Sequence, residues 1–350
     1  MSPDTPLITT IIPTYRRPAL LKRAIESVLQ QTYPHFQVCV FDNASGDETA
    51  DVVAQLAQQD KRVNYYCHPE NVGAFKNFQY GLEQVSTPFF SFLSDDDMLL
   101  PDFYQIAMAG FTEHPEAIFS SAATMYMDLN GNYLGIQESK WQPGFYQPPE
   151  GLFAMLQYNH PTWTGILFRQ EVKTLVGGLD EETGPFSDMD FELRIAARFP
   201  FVVSTEPGAI LSKHSESFSQ SNAIHINNFW PYIERMCHNI IRGERLDLET
   251  RQRAETILRQ YSTNYLFRIG IAALLHKNFQ DSYQTAHILR THYNISAKAW
   301  VLSAITGICQ YFPPAYYAAL FANKFRWYLR RRKWRSLSRQ TGPSSESKTV

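Results

Sequence analysis

The amino-acid sequence predicts an α/β fold, a mostly parallel sheet followed by a helical region. Two observations carry this. Short apolar, β-branched runs alternate with stretches of helical period from Leu7 to Leu93. Beyond Asn227 the strand signature gives way to long helical-period segments. Strands separated by helices require crossover connections and so favour parallel pairing.

Each element follows from its residues. Leu7–Ile12 reads as a buried strand ending at Pro13. Pro18–Gln31 sets Leu20, Leu21, Ala24, Ile25, Val28 and Leu29 at helical spacing, with Pro18 suited to the first turn. Gln37–Phe41 is a second strand, Thr49–Gln59 a helix, Val63–Cys67 a third strand and Ala74–Val85 a helix. Phe89–Leu93 is a strand that runs into three aspartates. Ala117–Ser121 and Gly165–Phe168 read as strands within a mixed stretch, with a helix near Phe191–Arg198. Phe229–Arg242, Leu248–His276 and Gln280–Tyr293 read as helices. The expected organisation is a sheet-bearing domain over 1–222, a helical region with a basic end over 223–340, and a polar, disordered tail over 341–350.

Composition narrows the class. The chain has 350 residues, 44% of them hydrophobic, and a net charge of −2, so no overall charge favours nucleic acid. The charge is unevenly spread. Ser282 to Ser345 contains ten Lys and Arg and no Asp or Glu, whereas residues 1–281 hold 21 basic and 33 acidic side chains. The four cysteines show no metal-type spacing and suggest a reducing, cytosolic setting. The N-terminal apolar run is too short for a signal peptide or a membrane span.

In parallel sheets, ligands bind beyond the carboxyl ends of the strands. Four polar clusters fall there: Thr14–Arg17, Asp42–Asp47, Pro69–Lys76 and Ser94–Asp97. Asp95, Asp96 and Asp97 repel one another unless donors or a cation compensate, and hard oxygen ligands suit Mg²⁺ or Mn²⁺ bound together with a diphosphate. As a bare motif, the run also suits a solvated turn that caps the next helix. Asp42 can accept from a base or ribose, or close an Asx turn. Asn71, Gly73 and Lys76 offer polar groups, a flexible residue and a cation at a helix start. Asp188, in Ser187-Asp188-Met189-Asp190, is either a helix-start acid or a base for an attacking hydroxyl. His214 is a structural histidine or a metal or phosphate contact.

Taken together, Ile11-Ile12-Pro13-Thr14-Tyr15-Arg16-Arg17, Ser27–Tyr33, the Asp42 turn, Asn71-Val72-Gly73, the aspartate run and the Asp188 element resemble family 2 glycosyltransferases, in the same order, over roughly residues 6–220. The resemblance implies the Rossmann-like GT-A fold, an inverting transfer of a hexosyl-type sugar from a nucleotide-diphosphate sugar to an acceptor hydroxyl, and a divalent metal cofactor. It implies nucleotide-sugar contacts at Pro13, Thr14, Tyr15, Arg17, Asp42, Asn71, Gly73, Lys76 and Asp95. Metal contacts fall to Asp96, Asp97 and His214, and Asp188 is the catalytic base. Two positions depart from the family pattern. Ser94 stands where Asp is frequent, which leaves the metal register open among Asp95, Asp96 and Asp97. Ser187 stands where Glu is frequent, which leaves Asp190 as a rival base. A nucleotidyltransferase would need a glycine-rich loop after the first strand, absent from Pro13–Arg17. A non-catalytic scaffold would be expected to lack the acidic constellation.

Relatives of this kind assemble cell-surface polysaccharide or glycolipid, so a glycan or lipid-linked acceptor is implied. The C-terminal stretch interleaves Trp327, Tyr328 and Trp334 with Arg330–Arg335. Aromatics among basic residues suit an anionic membrane surface and predict peripheral association with its cytosolic face, with no nucleic-acid partner.

Overall fold

The computed structural model describes residues 6–136, 140–158, 160–214, 226–242 and 246–322. The basic cluster Arg330–Arg335, its flanking aromatics and the tail over 341–350 lie outside the described residues. The chain forms two compact units. One comprises 1–130, 136–222 and 231–258, the other 131–135, 223–230 and 259–350. The division expected near residue 222 is therefore not a single cut, because 231–258 belongs with the sheet.

The sheet begins with β1 (Ile8–Thr14), α1 (Pro18–Leu29), β2 (Phe36–Asp42), α2 (Thr49–Gln59), β3 (Val63–Cys67), α3 (Ala74–Gln84) and β4 (Phe89–Phe92). It continues through β5 (Met98–Leu99), α4 (Phe103–Glu113), β6 (Phe119–Met127), β7 (Tyr133–Ile136), β8 (Gly144–Tyr146), α5 (Glu150–Tyr158), β9 (Ile166–Arg169), α6 (Val172–Leu175), α7 (Ser187–Ala196) and β10 (Phe201–Ser212). The strand order is β3-β2-β1-β4-β9-β6-β10-β5, with β8 beside β10. Strands β3, β2, β1 and β4 are mutually parallel, as are β6 and β10. Antiparallel β9 joins the two parallel groups. The expected α/β class with a mostly parallel sheet is observed.

All seven residues of β1 are buried, so the strand sits in the middle of the sheet. It runs past Pro13 to Thr14, two residues further than expected. Helix α1 has Pro18 at its start and buries Leu21, Ala24, Ile25 and Val28, one face at three- and four-residue spacing. Those residues join Ile8, Ile12, Val38, Val40 and Val53 in the main core. Strand β6 outruns its expected end at Ser121, and β10 was not foreseen as one strand. Irregular register between Val203 and Ala209 interrupts β10, and three exposed positions (Thr205 to Pro207) hide its period. Residues Pro231–Leu258 are held to the sheet unit by Arg235, whose Nε donates to Asp180 at 2.7 Å, and by Asn239, which donates to Asp180 and Asp190.

In the second unit, helices Phe279–Thr291 and Ser296–Tyr311 pack together through Thr285, Ala286, Leu289, Ala299, Leu302 and Cys309. The Ser282 and Thr306 hydroxyls share a hydrogen bond of 2.7 Å within that packing. Leu302 presses so closely on Gly270 that a Cβ there would lie 2.4 Å from its side chain. Among the described residues, no helix is long and apolar enough to cross a membrane.

Candidate active site

Three parallel strands deliver the first half of the site. Strand β1 ends in Thr14, β2 in Asp42, and β4 leads directly into Asp95–Asp97. The register pairs Thr14 with Asp42 across the two strands, so both side chains reach the same edge. Thr14 Oγ1 donates to Asp95 Oδ2 at 2.8 Å. One nitrogen of Arg17 bridges Asp95 Oδ1 at 3.2 Å and Asp96 Oδ2 at 3.1 Å. Arg23 donates to the backbone carbonyl of Asp96 and to Ser212 Oγ. These donors counter the repulsion that adjacent carboxylates would otherwise suffer.

The turns behind β1 and β2 are interlocked. Arg16 and Ala44 adopt positive φ of 55° and 58°, a costly backbone for residues with a Cβ. Ser45 holds both turns. Its backbone N and Oγ donate to Asp42 Oδ1, while its Oγ accepts from Arg16 N at 2.9 Å. Tyr65 OH donates to the other oxygen of Asp42 at 2.6 Å. Asp42 thus closes a local turn, while Asp47 accepts from Thr49 N at the start of α2. Asn43 and Asn71 clasp the neighbouring loops: Asn43 Nδ2 donates to Asn71 Oδ1, which also accepts from Gly73 N. Gly73 has φ 88°, a backbone that favours glycine. Lys76 and Tyr15 are exposed beside this edge, with the Arg16 guanidinium 5.0 Å from the Tyr15 ring centroid.

The aspartates separate by environment. Burial, then the Asp96 charge, pushes Asp95 up to about 6 despite Thr14 and Arg17. Burial and Asp96 push Asp97 up to about 7. Asp97 accepts from Ser212 N at 2.9 Å and from Thr164 Oγ1 at 2.7 Å, one contact on each oxygen. It therefore ties β10 and the turn before β9 to the aspartate run, a structural use that the sequence reading assigned to metal binding. Asp96 Oδ2 lies 2.9 Å from His214 Nε2. His214 Nδ1 is buried without a hydrogen-bond partner among the described residues. A carboxylate oxygen beside an imidazole nitrogen is a donor set that suits a divalent ion. No group of three or more His, Cys, Asp and Glu suited to a metal occurs among the described residues, so two protein ligands would need phosphate oxygens to complete the shell.

The second half of the site hangs on α7 and the segment 160–165. Gly165 makes this placement feasible, since a Cβ there would meet the Ala122 carbonyl at 2.7 Å. Trp163 packs edge-on against Phe92 at 4.3 Å and near-parallel to Phe191, which joins the strand before the aspartates to α7. Asp188 is partly exposed in the first turn of α7 and accepts from Met189 N at 2.7 Å. One turn on, Glu192 is fully buried and binds His160 Nδ1 at 2.9 Å. Burial opposes the His160 cation, but Glu192 overrides it and pushes the pKa up to about 9. Burial pushes Glu192 up to about 7 against the pull of His160. Asp188 adds its charge to both.

Asp190, the rival base, is fully buried. Arg194 Nε donates to it at 2.8 Å and Asn239 at 2.9 Å. It braces α7 and is closed to an acceptor. Of the expected site residues, Thr14, Arg17, Asp95, Asp96 and His214 are joined by direct contacts, and Pro13 is buried within β1 beneath them. His160 and Thr164 fall in the Tyr158–Gly165 stretch where the sequence suggests acceptor contacts, whereas Ser45, Tyr65, Arg23 and Glu192 are not singled out by it. Of the latter, only Ser45 had a sequence signal, as the fourth residue of an Asp-x-x-Ser turn.

The fold and the strand-edge polar site define a GT-A type glycosyltransferase architecture. Residues 9–175 match the model of glycosyl transferase family 2 and form a domain of that family. It is 38% identical over 96 residues to the Campylobacter jejuni GalNAc(5)-diNAcBac-PP-undecaprenol beta-1,3-glucosyltransferase, a match spanning 27% of this chain and 31% of that one. It is 27% identical over 243 residues to the Myxococcus xanthus O-antigen biosynthesis protein RfbC, spanning 65% of this chain and 19% of that one. The chain thus matches less than a third of these relatives' lengths. In three dimensions it is similar to S. aureus TarS 1–349 in complex with UDP-GlcNAc, with a TM-score of 0.62, 17% identity, and coverage of 87% of this chain and 91% of that one. A Pyrobaculum calidifontis mannosyltransferase in complex with GDP-Man and Mn²⁺ superposes with a TM-score of 0.52 at 15% identity, covering 88% of this chain and 89% of that one. At such identities the likeness establishes the fold.

Proposed function

We propose that this chain transfers a sugar from a nucleotide-diphosphate sugar to an acceptor hydroxyl with inversion, in the assembly of a cell-surface polysaccharide or glycolipid. The observation that carries the reading is the shared edge of β1, β2 and β4, where Thr14, Arg17, Asp95 and Asp96 are joined by hydrogen bonds and Asp42 closes the adjoining turn. Asp42, Tyr15 and the Asn71–Lys76 loop contact the nucleotide. Asp95 serves the ribose or diphosphate side.

Asp96 and His214 would hold a divalent cation, which supplies charge compensation for the diphosphate when bound. Asp188 removes the proton of the acceptor hydroxyl. The acceptor oxygen bonds to the anomeric carbon as the bond to the diphosphate oxygen breaks, with inversion at that carbon. Holding donor and acceptor together supplies much of the acceleration. The lipid-linked acceptor named for the Campylobacter relative supports an acceptor of that class and a working place at a membrane surface.

The test is product analysis with UDP-, GDP- and dTDP-sugars, with and without polyprenyl-diphosphate-linked glycan, and in a separate arm with nucleoside triphosphates and a sugar 1-phosphate. Sugar transfer from one donor, with a product of inverted anomeric configuration, supports the reading. Release of inorganic diphosphate from a nucleoside triphosphate, with no sugar transferred, would make the chain a nucleotidyltransferase instead.

A further inference from the structure

The second unit carries an apolar surface that its own packing leaves uncovered. On the helix Ser296–Tyr311, Ala299, Leu302, Thr306 and Cys309 are buried along one side. Trp300, Ile308 and Tyr311 lie on the other, with Trp300 72% and Tyr311 82% exposed. At about 100° per residue these form a single stripe. Phe312 is exposed just beyond it. The chain turns helical again over 313–322, and Tyr316 is buried there while Tyr317 and Phe321, one turn apart, are exposed. Both helical stretches bury their inner sides in one cluster, built on Leu274, Cys309 and Tyr316 with Ile305, Ala319 and Leu320 around it. The exposed aromatics are therefore the outside of that packet. An aromatic surface of this extent marks an interaction site.

Charge selects the partner. No acid occurs between Ser282 and Ser345, while ten Lys and Arg do, eight of them in the sixteen residues from Lys324 to Arg339, directly after the aromatic surface. A second copy of the chain would bring the same positive sign to the contact. An anionic lipid surface brings the opposite one, and aromatic side chains suit its interface.

We propose that Trp300, Ile308, Tyr311, Phe312, Tyr317 and Phe321 form a docking face that seats the chain on an anionic bilayer, inserting side chains into the headgroup layer without crossing it. The purpose assigned to this face, access to a lipid-linked acceptor, rests on the proposed function; the docking itself does not. The sequence marks the whole apolar and basic stretch after about Ala297, and the exposure of individual side chains selects which of them form the face.

The test is flotation of the full chain with phosphatidylcholine vesicles, with and without phosphatidylglycerol, in the absence of donor and acceptor. The wild type is expected to float with the anionic vesicles and to be released by high salt. The triple variant Trp300→Ser, Ile308→Ser, Tyr311→Ser is expected to partition about tenfold less or weaker, with thermal melting and donor hydrolysis unchanged. Brominated acyl chains should quench tryptophan emission in the wild type and quench it less in Trp300→Phe, which needs no disruptive change. Equal flotation on neutral vesicles, wild-type flotation of the triple variant, or no quenching overturns the proposal. So does a dimer in solution that the triple variant splits. Docking without any sugar transfer would refute the proposed function and leave the docking face standing.

Discussion

The two halves of the site are built to different standards of rigidity. On the strand side, Asp42, Asp95 and Asp96 lock into parallel strand ends through Ser45, Tyr65, Thr14 and Arg17. On the helix side, Asp188 sits in the first turn of α7, and buried Glu192, bound to the partly exposed His160, fastens that helix to the segment leading to Thr164. The strand side joins Thr14 and Arg17 to Asp95 and Asp96, remote in sequence but brought together by parallel strands, through hydrogen bonds that exist before any ligand arrives. The helix side is tied more locally, by His160 to Glu192 one turn from Asp188. A donor pocket gains from preorganisation, because stabilising developing charge requires dipoles already in place. An acceptor side must admit a second substrate, and fewer fixed contacts permit it.

This contrast predicts where substitutions act. Asp96→Ala is expected to have the largest effect, lowering transfer by about 10³-fold or more and weakening donor binding, since the carboxylate joins Arg17 and His214 at the edge proposed to hold the diphosphate. Titration calorimetry with the donor and a divalent cation checks the binding part. Unchanged donor affinity would place the strand side elsewhere.

Glu192→Gln should act differently. It leaves the strand side intact, so donor affinity holds, while kcat falls by about tenfold to a hundredfold as His160 loses its anchor beside Asp188. A loss confined to donor affinity would erase the distinction between the halves.

The smallest expected effect is on stability against pH. Glu192 is raised from its ordinary 4.5 to about 7, so its contribution is fully present below about 4.5 and is lost as pH rises through 7. His160 is raised from 6.5 to about 9, so its contribution is fully present below 6.5 and is lost as pH rises through 9. Both slopes have the same sign. The melting temperature should fall by roughly a few degrees between pH 5 and 9, and less steeply in Glu192→Gln. Scanning calorimetry across that range checks it; a rising melting temperature would reject the ionisation states described here.

The parallel strand–helix half of the fold is legible in the sequence because buried strands read as continuous apolar runs and each ends at a polar cluster. Thr49–Gln59 and Val63–Cys67 are read to the residue. Strand β10 is not legible: its irregular register breaks the alternation that a strand shows. The same divide runs through the site. Thr14, Asp42 and Asp95–Asp97 stand out because they follow apolar strands directly. His160 and Glu192 do not, since a lone histidine in a loop and a glutamate inside a helix carry no local pattern; only the fold brings them to 2.9 Å. Asp97 was legible as an acid but not in its use, because its partners Thr164 and Ser212 are remote in sequence.

The most direct test of the account is one comparison on Asp188→Asn: donor affinity by calorimetry beside sugar transfer by product analysis. The amide preserves shape and removes the base. The account predicts wild-type donor affinity with transfer reduced by about 10²-fold or more. Transfer at the wild-type rate by this variant would contradict it.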